Sequence, residues 1–369
     1  MINVATLIIA IAVPLSIGIS IYLSTIKNTN KRANSILAIL LLLASGMLSV
    51  KALASYHVIT NIWWLSFVDI NIFLFGPLSF VYLKRLINFS EKPFSLAVSH
   101  YIPAITHLIF SLVLLQLSEE SLINLNRSGQ FTTVFFFIEV LAILYNIYYW
   151  SLCRKEISIY LEQEKKQLSF IQPIGHFLRV MFYMISALLL IWMVNMVSSS
   201  FFKYPIPFFS YNFIWIGISI IVYIIAGFAL FQPTVFRIAP TLESKSSDKK
   251  RLSDFEIEQL EKKLNTLIVK EKIHLEQTLT LSSLASMLKA SSNNVSWFLN
   301  NVYQTSFYDY INELRVREFI KKIENNEHKK QTLLALSMEV GFNSKSTFNK
   351  AFKTIVKVTP SNYIKRMSA

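Results

Sequence analysis

Seven stretches before residue 233 constrain this chain more than anything else in it: 4–26, 33–53, 62–83, 100–118, 131–152, 176–200 and 208–232, each strongly apolar and separated by polar breaks. At 1.5 Å per residue each is long enough to cross ~30 Å of hydrocarbon. In lipid every backbone N–H and C=O must be satisfied inside its own segment, so the stretches are expected to be helices packed as a bundle. Composition points to a membrane protein rather than a large soluble enzyme: the apolar share is 53%, Phe numbers 29 and Gly only 8. The first stretch has no basic residues ahead of it and no small-residue cleavage site after it. It is therefore read as a retained span and not a signal peptide.

Loop charge orients the bundle. Lys27, Lys31 and Arg32 follow the first stretch, Lys84, Arg85 and Lys92 the third, and Arg154, Lys155, Lys165 and Lys166 the fifth. The alternate loops hold Arg127 and Lys203, with Lys51 near the end of the second stretch. The positive-inside rule places the N-terminus outside and the C-terminus in the cytoplasm, in a multi-pass protein of the cytoplasmic membrane. Trp63, Trp64, Tyr148, Tyr149, Trp150, Phe201, Phe202 and Tyr204 cluster at stretch ends, as interfacial anchors do. Pro14, Pro77 and Pro103 lie within stretches and are expected to kink or open them.

Polar groups inside apolar stretches are costly unless they face other helices or a wet cavity. Asp69, Asn71, His107, Glu139, Asn146 and Asn195 are such groups, with Asp69 and Glu139 the sharpest. Two readings stand: a hydrogen-bonded network that holds the helices together, or a signal site formed by Asp69, Glu139, Asn195 and His107. Cys153 is the one cysteine and the six histidines lack ligand spacing, so no disulfide within the chain, metal site, cofactor or catalytic residue is expected.

After Pro233 the composition changes. Residues 1–240 hold 15 Lys/Arg against 8 Asp/Glu, and residues 241–369 hold 21 against 14, so half of the +14 net charge sits in the last third. That concentration suits a nucleic-acid-binding module. Residues 233–254 read as a juxtamembrane linker whose Lys249, Lys250 and Arg251 suit anionic headgroups. Residues 255–277 read as a connecting helix, with Ile257, Leu260, Leu264 and Leu267 on one face. That face either packs on the following domain or makes a short homodimer contact. The segment from Gln232 to Gln277 is expected to be the sole route between the halves.

In the last stretch, Leu333, Leu336 and Val340 mark a short amphipathic helix, and Gly341 ends it in the left-handed conformation that glycine tolerates. Phe342 plugs the core, Asn343 and Ser344 are N-cap candidates, and a second helix turns Phe348, Phe352 and Ile355 inward. Lys345, Ser346, Asn349, Lys350 and Lys353 then point outward, a face suited to phosphates and base edges in the major groove.

The segment GFNSKSTFNKAFK followed by TPSNYIKR resembles the signature of the AraC/XylS-type transcription regulators. Over Leu279 to Met367, LSSLASMLKASSNNVSWFLNNVY resembles that family's first helix-turn-helix, with Leu284, Ala285 and Leu288 in its first helix, and FYDYINELRVREFIKKI resembles its linker helix, with Tyr310, Ile311 and Arg315. The sequence departs from the pattern at Ser337, usually Ala, at Lys289 and Lys357, usually Gly, and at Trp297, which replaces a frequent polar residue. The resemblance implies DNA contact by Asn293, Ser296 and Trp297 in the first recognition helix and by Lys345, Ser346, Asn349, Lys350 and Lys353 in the second. Arg315, in the linker helix, is expected on structure or phosphate rather than on bases.

The expected protein is all-α: residues 1–232 a seven-helix transmembrane bundle, and residues 278–369 a cytoplasmic double helix-turn-helix domain. Its expected function is a membrane-bound regulator that couples a membrane or envelope signal to double-stranded promoter DNA, with no enzymatic activity. A channel or transporter with an appended regulatory domain is the alternative, and would show inverted repeats and paired broken helices.

Overall fold

A computed structural model describes residues 4–26, 30–56, 68–87, 93–170, 172–201, 211–237 and 252–367. Lys27, Trp63, Trp64, Lys92, Phe202, Lys203, Tyr204 and the basic cluster Lys249, Lys250 and Arg251 lie outside the described residues. Among those described, the regular structure is helical apart from one isolated antiparallel bridge between Leu168 and Thr280. The chain divides into two compact units. The first comprises Met1–Ser158 and Pro173–Pro240, and the second Ile159–Gln172 and Thr241–Ala369.

Among the described residues of the first unit, five helices are long and apolar enough to cross a membrane: α1 (Val4–Thr25), α2 (Lys31–Ser55), and three later ones that run through Gln130–Gln167, Pro173–Ser200 and Tyr211–Phe231. The expected count of seven is not confirmed among them. The described part of the third stretch, from residue 68, forms a 3-10 turn, Asp69–Phe73, followed by α3 (Phe75–Ile87). The fourth forms a 3-10 turn, Val98–Tyr101, and α4 (Ile102–Leu114). Each α-helix has 13 residues, about 20 Å against ~30 Å of hydrocarbon. Proline explains the break. Pro77 and Pro103 fall in first turns, where a missing N–H forfeits no intrahelical bond, so they start helices and do not kink them. Pro14 lies inside α1, which continues through it.

Then follow α5 (Glu119–Arg127), α6 (Gln130–Gln167), α7 (Pro173–Phe201), α8 (Tyr211–Phe231) and the one-turn α9 (Thr234–Arg237). The helix α1 packs on α2 and α8, α2 also on α3, and α7 on α8. Gly76 permits α3 to approach α6, since a Cβ there would lie 3.1 Å from the Tyr149 ring and 3.2 Å from Asn146 Oδ1.

One end of this unit gathers the basic loops. Lys84 pairs with Glu156 at 3.1 Å. Arg85 donates to the carbonyls of Phe94 (2.8 Å) and Arg32 (3.4 Å). At α9, Asn34 Nδ2 donates to Phe236 O at 2.8 Å and Arg237 donates to Tyr22 Oη at 3.2 Å. Loops that charge alone assigned to one side therefore meet.

The second unit opens on α10 (Asp254–Val269), started by a capping box in which Ser253 Oγ accepts from Glu256 N while the Glu256 carboxylate accepts from Ser253 N. It ends at Val269, eight residues before the expected limit of the connecting helix, and a left-handed Lys272 then leads into a 3-10 turn, Ile273–Leu275. Leu260, Leu264, Leu267 and Ile268 pack into the core of the helices that follow, α11 (Leu281–Leu288) and α12 (Ser292–Asn301). A long helix, α13 (Phe307–Glu324), then joins two cores. Its Phe307 and Ile311 belong to the first core. Val316, Phe319 and Ile323 belong to the second, with α14 (Leu333–Glu339) and α15 (Lys345–Val356). A last helix, α16 (Pro360–Met367), lays Tyr363 and Ile364 on that second core.

Residues 159–172 pack with this unit. The expectation that Gln232–Gln277 alone joins the halves is thereby corrected: α6 runs unbroken from the first unit into the second.

Candidate nucleic-acid interface and a cavity of the first unit

The two helix pairs are built alike. Thr280 caps α11 through Ser283 N, and Thr332 caps α14 through Ala335 N. Lys289 ends α11 at φ +52°, where a side chain costs about 1 kcal/mol relative to glycine. Gly341 makes the second turn at φ +98°, and a Cβ there would come within 2.8 Å of the carbonyl oxygens of His274 and Leu275. Ser291 Oγ then accepts from Asn294 N at 3.1 Å to start α12, and Ser344 Oγ accepts from Thr347 N at 3.2 Å to start α15. Of the two N-cap candidates for α15, Ser344 is the cap.

In α15, Phe348, Ala351 and Phe352 are buried, and Lys345, Ser346, Asn349, Lys350 and Lys353 all stand exposed on the other face. Ile355, expected inside, is exposed, and Val356 packs on the core in its place. Four-residue steps from Phe348 through Phe352 reach Val356, which keeps the buried stripe in line. The helix ends at Lys357, φ +64°.

The first recognition helix, α12, is less open. Val295, Phe298 and Leu299 are buried, while Asn293, Ser296 and Trp297 are half-buried. The Trp297 ring packs against the first core. Ser296 offers its hydroxyl and carbonyl oxygens to Asn300 Nδ2, at 3.3 and 2.8 Å, within the helix.

Arg315 is fully buried. Its Nε donates to His274 O (2.7 Å), Nη1 to Ser169 O (2.9 Å) and Asn312 Oδ1 (3.4 Å), and Nη2 to Ser169 Oγ (3.1 Å) and Glu276 O (2.6 Å). Burial lowers its pKa to about 10. The guanidinium is thus enclosed among protein oxygens, on the structural side of its expected roles. Its partners in these bonds are three backbone carbonyls and the side-chain oxygens of Ser169 and Asn312. His274 is buried beside it, with neither ring nitrogen hydrogen-bonded, and burial lowers its pKa from 6.5.

In the first unit, Asp69, His107 and Glu139 line one cavity of about 580 Å³, walled chiefly by aliphatic and aromatic side chains. Glu139 Oε1 accepts from Trp192 Nε1 (2.8 Å) and Tyr211 Oη (2.8 Å). Neither donor was marked by the sequence, because an aromatic in an apolar stretch gives no sign of where its polar edge points. Asn195 is not brought to the cavity: it is buried and donates to Ile191 O of its own helix at 3.0 Å. Asn71 and Asn146 bind backbone carbonyls, of Leu43 (3.3 Å) and Ile72 (2.7 Å), and fasten the 3-10 turn to its neighbours. Cys153 also lines the cavity. Among the described residues no cluster of three or more His, Cys, Asp or Glu side chains is arranged to hold a metal.

Comparison with known proteins bears on the second unit. A family described as a helix-turn-helix domain matches residues 284–366. The Transposon Tn10 TetD protein of Escherichia coli is 23% identical over 128 residues, which are 33% of this chain and 90% of that protein. No solved structure matches the chain. With two capped helix pairs set on one linker helix, residues 284–366 are a helix-turn-helix domain of the AraC type, carried at the C-terminal end of a chain whose earlier part is apolar helices.

Proposed function

We propose that the protein is a membrane-bound, sequence-specific regulator of transcription that couples a signal received in the bilayer to promoter binding. The observation that carries this reading is the outer face of α15, where five hydrogen-bonding or cationic side chains stand exposed on a helix narrow enough for the major groove. Lys and Asn there match guanine and adenine edges, and Ser with the flanking Lys residues matches phosphates. The helix α12 enters the neighbouring groove segment, about 34 Å along the same face of the duplex. An N-out, C-in topology brings this domain to the cytoplasm. That outcome is the same whether α3 and α4 both cross or together form a re-entrant pair, because removing two crossings leaves the parity unchanged.

The cavity around Asp69, His107 and Glu139 is the natural signal site: lined chiefly by apolar side chains, it offers two carboxylates and an imidazole to a polar or charged group. A transporter reading draws support from the broken segments at residues 69–87 and 98–114. Among the described residues these breaks are adjacent in the chain and do not recur in two halves, as the inverted repeat of that architecture would require. The test is duplex binding by the full-length protein in lipid nanodiscs across a salt series. Each neutralised phosphate contributes about −0.9 to the log–log slope, so a slope steeper than about −3 is expected. A flat response refutes the reading.

A further inference from the structure

Ser169 follows the last turn of α6 and is completely buried. Its N–H and hydroxyl donate to Leu279 O, at 3.4 and 2.7 Å, and its hydroxyl oxygen also accepts from Arg315 Nη2. Its carbonyl accepts from Arg315 Nη1 and from Asn312 Nδ2 at 3.3 Å. Beside it, Leu168 is also fully buried and bridges Thr280, the N-cap of α11. The turn is tied back to α6 by the Glu164 carboxylate, which accepts from Gln172 N at 2.7 Å. This seat lies where the two motifs meet. Arg315 holds the segment entering the first motif through His274 O and Glu276 O, and the second motif's turn rests on it, since a Cβ on Gly341 would lie 2.8 Å from Arg315 Nε.

We propose that the helix-turn-helix domain carries a docking site for its own chain's Leu168 and Ser169, and that this pair, moved by α6, sets the spacing of the two recognition helices. With Ser169 seated, two of the five Arg315 hydrogen bonds go to it and the junction is closed. With Ser169 withdrawn, Nη1 and Nη2 each lose one of their two hydrogen bonds, the junction loosens and the two helices no longer match successive grooves. The first apolar part of α6 contributes Glu139 to the cavity, and its last turn carries the loop. One helix therefore joins the signal site to the DNA-binding domain. The inference rests on the regulator reading, and deepens it by naming the means of regulation.

The seat is read without DNA. In full-length protein carrying Cys153→Ser, the pair Leu168→Cys and Thr280→Cys occupies bridge partners, whose Cα separation of about 4.5–5.5 Å suits a disulfide. Mild oxidant is expected to join most chains, and the joined protein to bind a two-motif DNA site at least as tightly as the reduced form. Absence of the crosslink, or loss of binding on its formation, overturns the proposal. Ser169→Trp, too large for the seat, is expected to weaken binding to that site 5- to 150-fold. It should also bind equally well when half a helical turn is inserted between the half-sites, a change that weakens the parent. A merely structural defect would lower both affinities together and keep the spacing preference, and that result, or parental binding by Ser169→Trp, refutes the latch. If the parent binds no duplex, the regulator reading has failed, while the crosslink still decides the seat.

Discussion

The two recognition helices share a design and differ in what they leave open. In α15 the core is made by Phe348, Ala351 and Phe352 on one face, so the opposite face keeps five polar side chains exposed. In α12 the half-buried Trp297 leans on the first core and Ser296 bonds within the helix. The comparison teaches that a repeated motif need not repeat its role. Under the proposed function, α15 is expected to read and anchor, and α12 chiefly to position.

Removing the support of the reading helix is the largest way to break that contrast. Phe352→Ala deletes a fully buried ring of the second core and is expected to cost ~3–5 kcal/mol, seen as a lowered unfolding midpoint with DNA binding abolished. Trp297→Ala, at a half-buried position, should cost on the order of 2 kcal/mol of stability and leave base preference intact. Asn349→Ala should do the reverse, leaving the melt unchanged while losing ~1–3 kcal/mol of discrimination at one base pair, measured by competition among single-base variants of the site. If Trp297→Ala relaxes preference and Asn349→Ala does not, the roles are exchanged. Lys353→Ala should weaken all sequences alike and make the salt slope shallower by about one unit.

The smallest effect concerns pH. His274 is held neutral by burial, with Arg315, Lys272 and Lys321 opposing its protonation and Glu318 favouring it. Its folded pKa lies below 6.5, so at pH values between the two the unfolded chain binds more protons. Domain stability should then be full above about pH 6.5 and decline as pH falls toward the folded pKa. Chemical denaturation of the intact protein at several pH values checks this, and His274→Leu should flatten the decline.

Much of the second motif was legible because its signals are local: the spacing of Leu336, Val340, Phe348 and Phe352, the Gly341 stop and the Ser344 cap. Ile355 was misplaced because spacing of three or four both satisfy a helical stripe, and only the packed partner, Val356, decides between them. The Ser169 seat could not be read at all. Ser169 and Leu279 stand 110 residues apart, and a serine in a polar loop carries no mark of burial. The carboxylates of the cavity stood out as charges in apolar stretches, whereas the shortness of α3 and α4 was hidden because hydropathy counts residues and does not see where Pro77 and Pro103 restart the helix.

The central claim, that an intact membrane protein uses this domain at promoters, is tested most directly by mapping the genomic sites bound by the full-length chain in living cells, alongside Asn349→Ala. The account predicts discrete promoter sites with two half-sites about one helical turn apart, recovered with protein that fractionates with membranes, and altered in sequence preference by Asn349→Ala. Recovery of no site above that of a chain lacking residues 284–366 would contradict it.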